Sequence, residues 1–309
     1  MSDTLSKKVD LALADLANGG KLNPDQADRF IRVMVDAPTI LNSARVVTMT
    51  SSEMKVAKVG FGSRVLRAAP QGDGDQDSGA NGRNLPAAQR SKPDLGQVQL
   101  VSKEVIAEVP VPYEFLEDNI EREGFVPTVL DRLAAAGARD LEELIVQGDT
   151  ASADPYLALF DGALKQVTGN VVDAAGAAIS TGIFGKAKKA IPTRFQSDDD
   201  LMRFYAHHSV ATDWRLAVAA RTSALGDAAI TGTGEIAALG VPLAKAAKMP
   251  TSSILLTNPK NLIVGFQRNI TLEQERRPRS RQVIFVLTAR VGFAIEEQLS
   301  AAKVINLGD

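Results

Sequence analysis

The chain has 309 residues, of which 45% are hydrophobic, so it can bury the core of one large domain or of two smaller ones. Lys and Arg number 35 and Asp and Glu number 37, and the net charge of −2 disfavours a protein that binds nucleic acid over its whole surface. Cysteine is absent, which excludes disulfides and thiolate metal sites, and no apolar run is long enough for a membrane span or a signal peptide.

Residues 1–37 have the pattern of a helical hairpin. The first helix carries Leu5, Val9 and Leu13 on one face, and Asn23-Pro24 marks the start of the second helix, with an N-cap residue followed by proline. Two interpretations stay open, a packed helical pair or an arm that lies on a neighbouring subunit.

Two strand patterns follow, Lys55–Arg67 and Gln97–Pro110, with about 30 residues rich in Gly, Asp, Asn, Gln and Pro between them. Strands of about 12 residues reach about 40 Å, whereas a compact chain of this length has a radius of gyration of only about 19 Å. We therefore expect a projecting hairpin. It needs a partner surface, because an isolated two-stranded ribbon is only marginally stable.

Pro112–Asp149 is predicted to be a short acidic turn followed by one long helix, which we call the spine helix. Its apolar face consists of Leu130, Leu133, Ala134, Gly137, Leu141, Leu144 and Ile145. The charged residues Asp131, Arg132, Arg139, Asp140, Glu142 and Glu143 are assigned mostly to the opposite face. Gly148 stands where the helix is expected to stop, after about 20 residues and about 30 Å.

After the spine helix, segments with weak secondary-structure patterns alternate with segments whose patterns are strong. Leu157–Ile183 is predicted as weak strands and turns, and Ser197 followed by three aspartates predicts a helix that runs to Leu225. Ser253–Thr257 has the pattern of a buried strand, and Leu262–Glu275 with Gln282–Val291 that of two paired long strands. Strands and helices occur in blocks, which predicts an α+β fold.

A search for metal sites gives a negative result. Asp73, Asp75 and Asp77 match the first three ligands of a calcium loop, but Ser78 replaces the required glycine and Asn84 the bidentate glutamate. A solvated loop is therefore favoured over a cation site.

The search for catalytic and cofactor motifs also gives a negative result. The only histidines, His207 and His208, are adjacent and cannot grip one metal ion together on a helix, which favours a structural or solvated role. Gly182–Lys186 is too short for a phosphate-binding loop and is followed by Ala187, and Gly232–Gly234 lacks the spacing of a dinucleotide site. We expect no enzyme, cofactor or metal.

A basic tip is predicted between the two long strands, formed by Arg276, Arg277, Arg279 and Arg281. Three interpretations stay open: a solvated hairpin tip, a contact onto acidic residues of a neighbouring subunit, or a nucleic-acid contact. No aromatic residues are interleaved, so base stacking is not indicated.

The order of these parts resembles the major capsid proteins of tailed bacteriophages, which have the Hong Kong 97 fold shared with encapsulins. The resemblance is most specific at Glu108–Asn119, which leads from the hairpin into the spine helix, and at Leu144–Asp149. A second match is Ile254–Leu262, ahead of the long strands, and the resemblance covers roughly residues 45–309.

The resemblance implies a domain organisation. An N-terminal helical arm would occupy residues 1–50 and an extended hairpin, the E-loop, residues 51–106. A peripheral domain with the spine helix would contain residues 107–160 and strands 262–290, and an axial domain residues 161–261 and the return segment 291–309.

The resemblance also implies the function and the partners. The chain would self-assemble into hexamers and pentamers that form an icosahedral head around double-stranded DNA, contacted non-specifically. Separate scaffolding, portal and in some cases decoration proteins would be partners, with no membrane. Assembly would take place in the cytoplasm of the host bacterium, and the mature location would be the virion capsid.

Two departures from the family modify these expectations. Some members join subunits by a Lys–Asn bond assisted by Glu, but Gln282–Val291 contains neither Asn nor Glu, so cross-linking is not expected. Others carry a fused scaffolding segment of about 100 residues, whereas about 45 residues precede the matching region here. We expect a separate scaffolding protein or none, and no large N-terminal cleavage.

The predicted subunit interface pairs opposite charges. The hairpin is basic at Lys55, Lys58, Arg64, Arg67, Arg90 and Lys92, and the start of the spine region is acidic, with Glu114, Glu117 and Asp118. We expect these surfaces to meet between subunits, and reversing Arg64 and Arg67 to impair assembly or raise its salt sensitivity. The alternative is that both are solvated faces.

Two other functions remain as alternatives. An encapsulin-type compartment has the same fold but encloses protein cargo. A soluble α+β ligand-binding protein or enzyme would be a monomer or small oligomer and would leave the long hairpin unexplained.

Overall fold

The computed structural model describes residues 39–60, 65–69, 85, 90–92, 94–114, 125–220 and 236–308. Several predictions lie outside these residues: the helical hairpin of residues 1–37, the Asp73–Asp77 loop, the Gly232–Gly234 turn, and the interface residues Arg64, Glu117 and Asp118. The chain forms two compact units, Met54–Gln99 and the rest, and each is described by itself.

The described elements mix helices and strands, which confirms the α+β prediction. The helices are α1 (Thr39–Ser43), α2 (Phe125–Gln147), α3 (Ala163–Gln166), α4 (Thr181–Ala190) and α5 (His208–Ala219). The strands are β1 (Arg45–Thr48), β2 (Glu53–Gly60), β3 (Asp94–Val101), β4 (Lys103–Pro112), β5 (Val171–Asp173), β6 (Arg203–Ala206), β7 (Leu243–Lys245), β8 (Ile254–Thr257), β9 (Leu262–Arg277), β10 (Gln282–Ile295) and β11 (Ala302–Ile305). Short 3₁₀ helices lie at Leu157–Leu159, Thr193–Leu201, Pro259–Asn261 and Gln298–Ser300.

The smaller unit contains most of a two-stranded sheet formed by β2 and β3. The sequence predicted one strand over Gln97–Pro110, and this is wrong, because the chain is interrupted at Ser102 and continues as β4 in another sheet. The backbone N–H of Ser102 donates to the carbonyl of Ser52 at 2.9 Å. The two strands therefore pair with different neighbours, which residue patterning alone does not reveal.

A four-stranded sheet has the order β1-β9-β10-β4. The two predicted long strands are confirmed as β9 and β10, which pair antiparallel from Leu262↔Ile295 to Arg277↔Gln282. Alternate residues of these strands pack with the spine helix, α2, through Leu141, Leu144 and Ile145. The 23-residue α2 confirms the predicted helix and its end before Gly148.

A five-stranded sheet has the order β5-β11-β8-β6-β7 and packs on both faces. Successive strand residues point to opposite faces, so Phe204 joins a core with α4 and α5 whereas Tyr205 joins the core of α2. The Phe184 ring meets the rings of Phe204 and Trp214 edge-on, with centroid distances of 4.7 and 4.9 Å.

The predicted helix from Ser197 to Leu225 is confirmed over His208–Ala219, which is α5, and is wrong before it. A 3₁₀ helix ends at Leu201, β6 follows, and α5 begins only at His208. The β6 backbone forms ladders with β8 on one side and β7 on the other. This pairing in the buried centre of a sheet outweighs the local helix preference. The region predicted as weak strands contains α3 and β5, and α4 begins at its end without having been predicted.

Candidate functional site

The first described helix, α1, is fixed to the spine helix by a buried carboxylate. Glu142 is only 2% exposed, and its Oε1 accepts a hydrogen bond from the backbone N–H of Ile40 at 3.1 Å. Burial raises the pKa of Glu142, and the hydrogen bonds from the N–H groups of Ile40 and Thr39 partly oppose this rise. The carboxylate therefore holds the segment that follows residues 1–38.

The sequence placed Glu142 on the charged face of the spine helix, and this is wrong. Glu142 lies four residues after Ala138 and three before Ile145, both of which are buried, so it occupies the edge of the apolar face. The spacing of Glu142 from Ala138 and Ile145 indicates a buried position, but its charged side chain led to its assignment to the solvent-exposed face.

A second contact ties α1 to the five-stranded sheet. The hydroxyl groups of Ser43 and Tyr205 lie 2.8 Å apart, and Tyr205 is fully buried on β6. Burial raises the pKa of Tyr205, and the hydrogen bond with Ser43 opposes the rise. Helix α1 therefore contacts both layers of the larger unit, so this part of the predicted arm is fixed to the subunit.

The predicted basic residues of the hairpin lie in the smaller unit. Lys55, Arg67 and Lys92 are exposed, and Lys58 is half-buried. Arg90 is exposed, and its Nε donates to the carbonyl of Leu85 at 2.9 Å. The stem of Lys58 occupies the space above Gly96, where an added Cβ would lie 2.6 Å from Lys58 Cε.

Of the predicted acidic partners, only Glu114 is described, and it is exposed. The described chain therefore presents charged side chains to solvent on both predicted surfaces, and the meeting of these surfaces between subunits stays a prediction.

The basic tip is a turn between β9 and β10. Arg276, Arg277, Arg279 and Arg281 are all exposed there. Arg277 donates from Nε and Nη2 to the two carboxylate oxygens of Glu275, each at 3.1 Å. This pair lowers the pKa of Glu275 and raises that of Arg277.

The tip is braced by its backbone. Arg281 has a φ of 50°, in the left-handed region, and its carbonyl accepts from the N–H of Tyr113 at 2.9 Å. Arg276, Arg279 and Arg281 form no ion pair with another described residue, so the turn presents three exposed cations around one local pair.

The described residues contain no group of three or more possible metal ligands. His207 lies outside α5 and caps it, because its Nδ1 accepts from the N–H of Ser209 at 3.2 Å. Both histidines were predicted on one helix. Only His208 lies in it, although the structural role predicted for His207 is confirmed by its capping bond.

One cavity of about 220 Å³ lies in the larger unit. Its lining residues are Phe195, Met202, Asn258, Lys260, Asn261, Glu296 and Ser300. The two asparagines are engaged in bracing the chain: Asn258 accepts from the N–H of Lys260, and Asn261 binds the backbone of Glu297. These hydrogen bonds of the two asparagines stabilise the turns beside the cavity.

Among the described residues, no helix combines the length and the apolar character that crossing a bilayer requires.

Comparisons with known proteins agree with one another. The model of the phage capsid family matches residues 19–307. The putative prophage capsid protein YqbE of Bacillus subtilis strain 168 is 40% identical over 312 aligned positions, which cover 97% of each chain.

Solved structures with the same fold include viral and cellular shells. A chain of the satellite phage P4 procapsid, determined with its size determination protein, has a TM-score of 0.67 at 13% identity, covering 99% of this chain and 98% of the other. The SrpI encapsulin of Synechococcus elongatus PCC 7942 has a TM-score of 0.52 at 14% identity, covering 85% of each chain.

Proposed function

Because the chain belongs to the phage capsid family and is a phage major capsid protein with the Hong Kong 97 fold, we propose that its copies assemble into hexamers and pentamers. These capsomers would close an icosahedral head around double-stranded DNA. The observation that carries this proposal is the 40% identity to a prophage capsid protein over nearly the whole of both chains. The role of the chain is structural rather than enzymatic, and its location is the virion capsid.

Several features of the structure support a shell subunit. The spine helix is a rod of about 35 Å, buried on one side between two sheets, which gives each subunit a stiff frame. The root of the predicted arm is fixed at Glu142 and Tyr205, so an arm that leaves it can contact a neighbour with a defined starting point. Repeated modest contacts suffice in a closed shell, because symmetry multiplies them.

We assign the domains as the sequence predicted them. The four-stranded sheet with the spine helix would be the peripheral domain, and the five-stranded sheet with α4 and α5 the axial domain. The axial domains would meet at capsomer centres, and the basic tip would lie near the three-fold contacts.

The interface proposed between subunits uses opposite charges. The basic hairpin residues would meet the acidic start of the spine region of a neighbour, and the exposed arginines of the tip would meet acidic side chains. Separate scaffolding and portal proteins, decoration proteins in some particles, and non-specific contact with packaged DNA complete the proposed partners, with assembly in the bacterial cytoplasm.

An encapsulin-type compartment is the second candidate, because the SrpI encapsulin shares the fold. The phage head is favoured for two reasons. The TM-score of the encapsulin chain is lower than that of the P4 procapsid chain, and the 40% identical relative is a prophage protein.

The test is to purify the chain, induce assembly and image the product by negative-stain microscopy after size-exclusion chromatography. We expect closed shells, and particles from an induced lysogen should contain DNA. A stable monomer or small oligomer under all assembly conditions would contradict the capsid proposal, and an enclosed enzyme without DNA would favour the encapsulin.

A further inference from the structure

Strand β4 has one edge without a partner among the described strands. It is the outermost strand of the four-stranded sheet, and no other described strand pairs with its second edge. One edge pairs with β10 over ten residues, from Lys103↔Val291 to Pro112↔Gln282. The other edge presents backbone N–H and C=O groups that a further strand can bind.

The prolines in β4 show which residues point to the open edge. Proline has no N–H, so Pro110 and Pro112 fit where the backbone nitrogen points away from β10. The N–H of Tyr113, of the opposite parity, does point to the β10 side and donates to the carbonyl of Arg281. The even-numbered residues therefore direct their N–H and C=O groups outward.

The open edge is bounded at both ends. At the start, the outward N–H of Ser102 is already bonded to the carbonyl of Ser52. At the end, Pro110 and Pro112 offer no donor. Between these limits, Glu104, Ile106 and Glu108 provide three outward N–H groups over five residues, about 17 Å of strand.

The side chains beside this opening are unusual for a solvated edge. Ile106 is 68% exposed, in the centre of the opening. Glu104 pairs with Arg268 and Arg290 at 3.3 and 3.4 Å, whereas Glu108 forms no ion pair with another described residue, and Arg277 attracts it electrostatically without a direct contact. Two copies of β4 pairing antiparallel through Ile106 would set Glu104 opposite Glu108, so like charges oppose that pairing.

We propose that Glu104–Glu108 of β4 binds strand β2 of a second copy of the chain, antiparallel, with Lys55 opposite Glu108. The inference rests on the proposed function, which supplies neighbouring copies. Lys55 and Ala57 form the exposed face of β2, and Glu104, Ile106 and Glu108 form the exposed face of β4. This register joins the two exposed faces, places Ala57 opposite Ile106, and pairs the exposed Lys55 with Glu108, which forms no ion pair with another described residue.

The test distinguishes the contribution of the backbone hydrogen bonds of β4 from the contribution of the charge of Glu108. Glu108→Pro removes the carboxylate together with an outward N–H, at a position of the same parity as two native prolines, whereas Glu108→Ala removes the carboxylate but keeps the N–H, so the difference between the two variants reports the backbone donor. We expect dissociated subunits of both variants to unfold within a few degrees of each other by circular dichroism. Assembly by light scattering should fall by at least about tenfold for Glu108→Pro and by only about two- to threefold for Glu108→Ala.

Exchanging the charges of Lys55 and Glu108 tests whether β2 is the strand that binds β4. This test is valid even if the proline variant does not fold. Lys55→Glu and Glu108→Lys should each reduce assembly, and the double variant should restore it. Assembly of Glu108→Pro at the level of Glu108→Ala, or no restoration in the double variant, overturns the inference. Failure of the unmodified chain to assemble would instead contradict the proposed function.

Discussion

Glu142 illustrates how one residue determines the attachment of a segment. Its carboxylate is removed from water, which disfavours its charge, but it supplies an acceptor to backbone N–H groups at the start of α1. Without it, the N–H of Ile40 would be buried without a partner. The residue therefore links the spine helix to the beginning of the described chain.

Removing this acceptor should loosen α1. Replacing Glu142 by Ala is expected to lower the free energy of unfolding of dissociated subunits by about 1–3 kcal/mol, because a buried donor loses its partner. Urea unfolding measures the change. Asp140→Ala, an exposed position on the same helix, is the control and should change stability by less than about 0.5 kcal/mol. Equal effects of the two substitutions would contradict this role of Glu142.

The raised pKa of Glu142 also predicts a pH dependence. A carboxyl group whose pKa is higher in the folded state than its usual 4.5 stabilises the fold below that value and loses this contribution as the pH rises through the folded-state pKa. We expect the stability of the unmodified subunit minus that of Glu142→Gln to fall as the pH rises from about 4.5, and then to level off. Thermal unfolding over a pH series measures it, and a difference that rises with pH would refute the prediction.

At the scale of elements, two glycines let the end of the spine helix pack against the chain that returns beneath it. Gly162 donates its N–H to the carbonyl of Gly148 at 2.8 Å. A Cβ at Gly148 would collide with the carbonyl oxygen of Phe160 and lie 2.6 Å from that of Leu144. The sequence predicted Gly148 as a helix stop. The helix does end there, but Gly148 is not among the residues with positive φ, so close backbone approach is what requires glycine.

Gly148→Ala should therefore destabilise the subunit by about 1–3 kcal/mol or more, because backbone atoms must move to admit the methyl group. Gly182→Ala is the matched control on α4, where the nearest atom to the new Cβ is Ser180 Oγ at 3.7 Å. The control should leave stability unchanged or raise it by up to about 1 kcal/mol. Chemical denaturation compares them, and a neutral Gly148→Ala would contradict the packing argument.

At the scale of the whole molecule, the net charge of −2 hides local excesses of opposite sign. The hairpin residues Lys55, Arg67 and Lys92 are exposed cations, whereas Glu114, Asp131 and Asp140 are exposed anions in or near the spine helix. Surfaces of this kind steer the association of copies more than they add affinity.

Reversing hairpin charge should therefore impair assembly. For Arg64→Glu with Arg67→Glu, we expect slower shell formation at low ionic strength, with the difference shrinking near 1 M salt, where the Debye length is about 3 Å. Light scattering at several salt concentrations measures it. Arg64→Lys with Arg67→Lys, which keeps both positive charges, is the control and should assemble normally. Unchanged kinetics in the hairpin variant would remove the charge-pairing proposal.

The candidate interface was only partly accessible from the sequence. Its charged residues were visible, but the sequence did not indicate that Arg277 is neutralised by Glu275 two residues earlier, while Arg276, Arg279 and Arg281 form no ion pair with any described residue. Nor did it indicate that the prolines after Glu108 limit an open strand edge, because this depends on which side of β4 meets β10.

The sequence by itself determined the spine helix, the β9–β10 hairpin and strand β8, because their hydrophobic periods and turn residues act within a few neighbouring positions. Only the tertiary structure decided that Arg203–Ala206 is a strand, that the chain divides at Ser102, and that Glu142 is buried. In each case the deciding partner is distant in the chain: β8 for β6, Ser52 for Ser102, and Ile40 for Glu142. Such long-range pairing and burial outweigh local preference, and no local pattern records them.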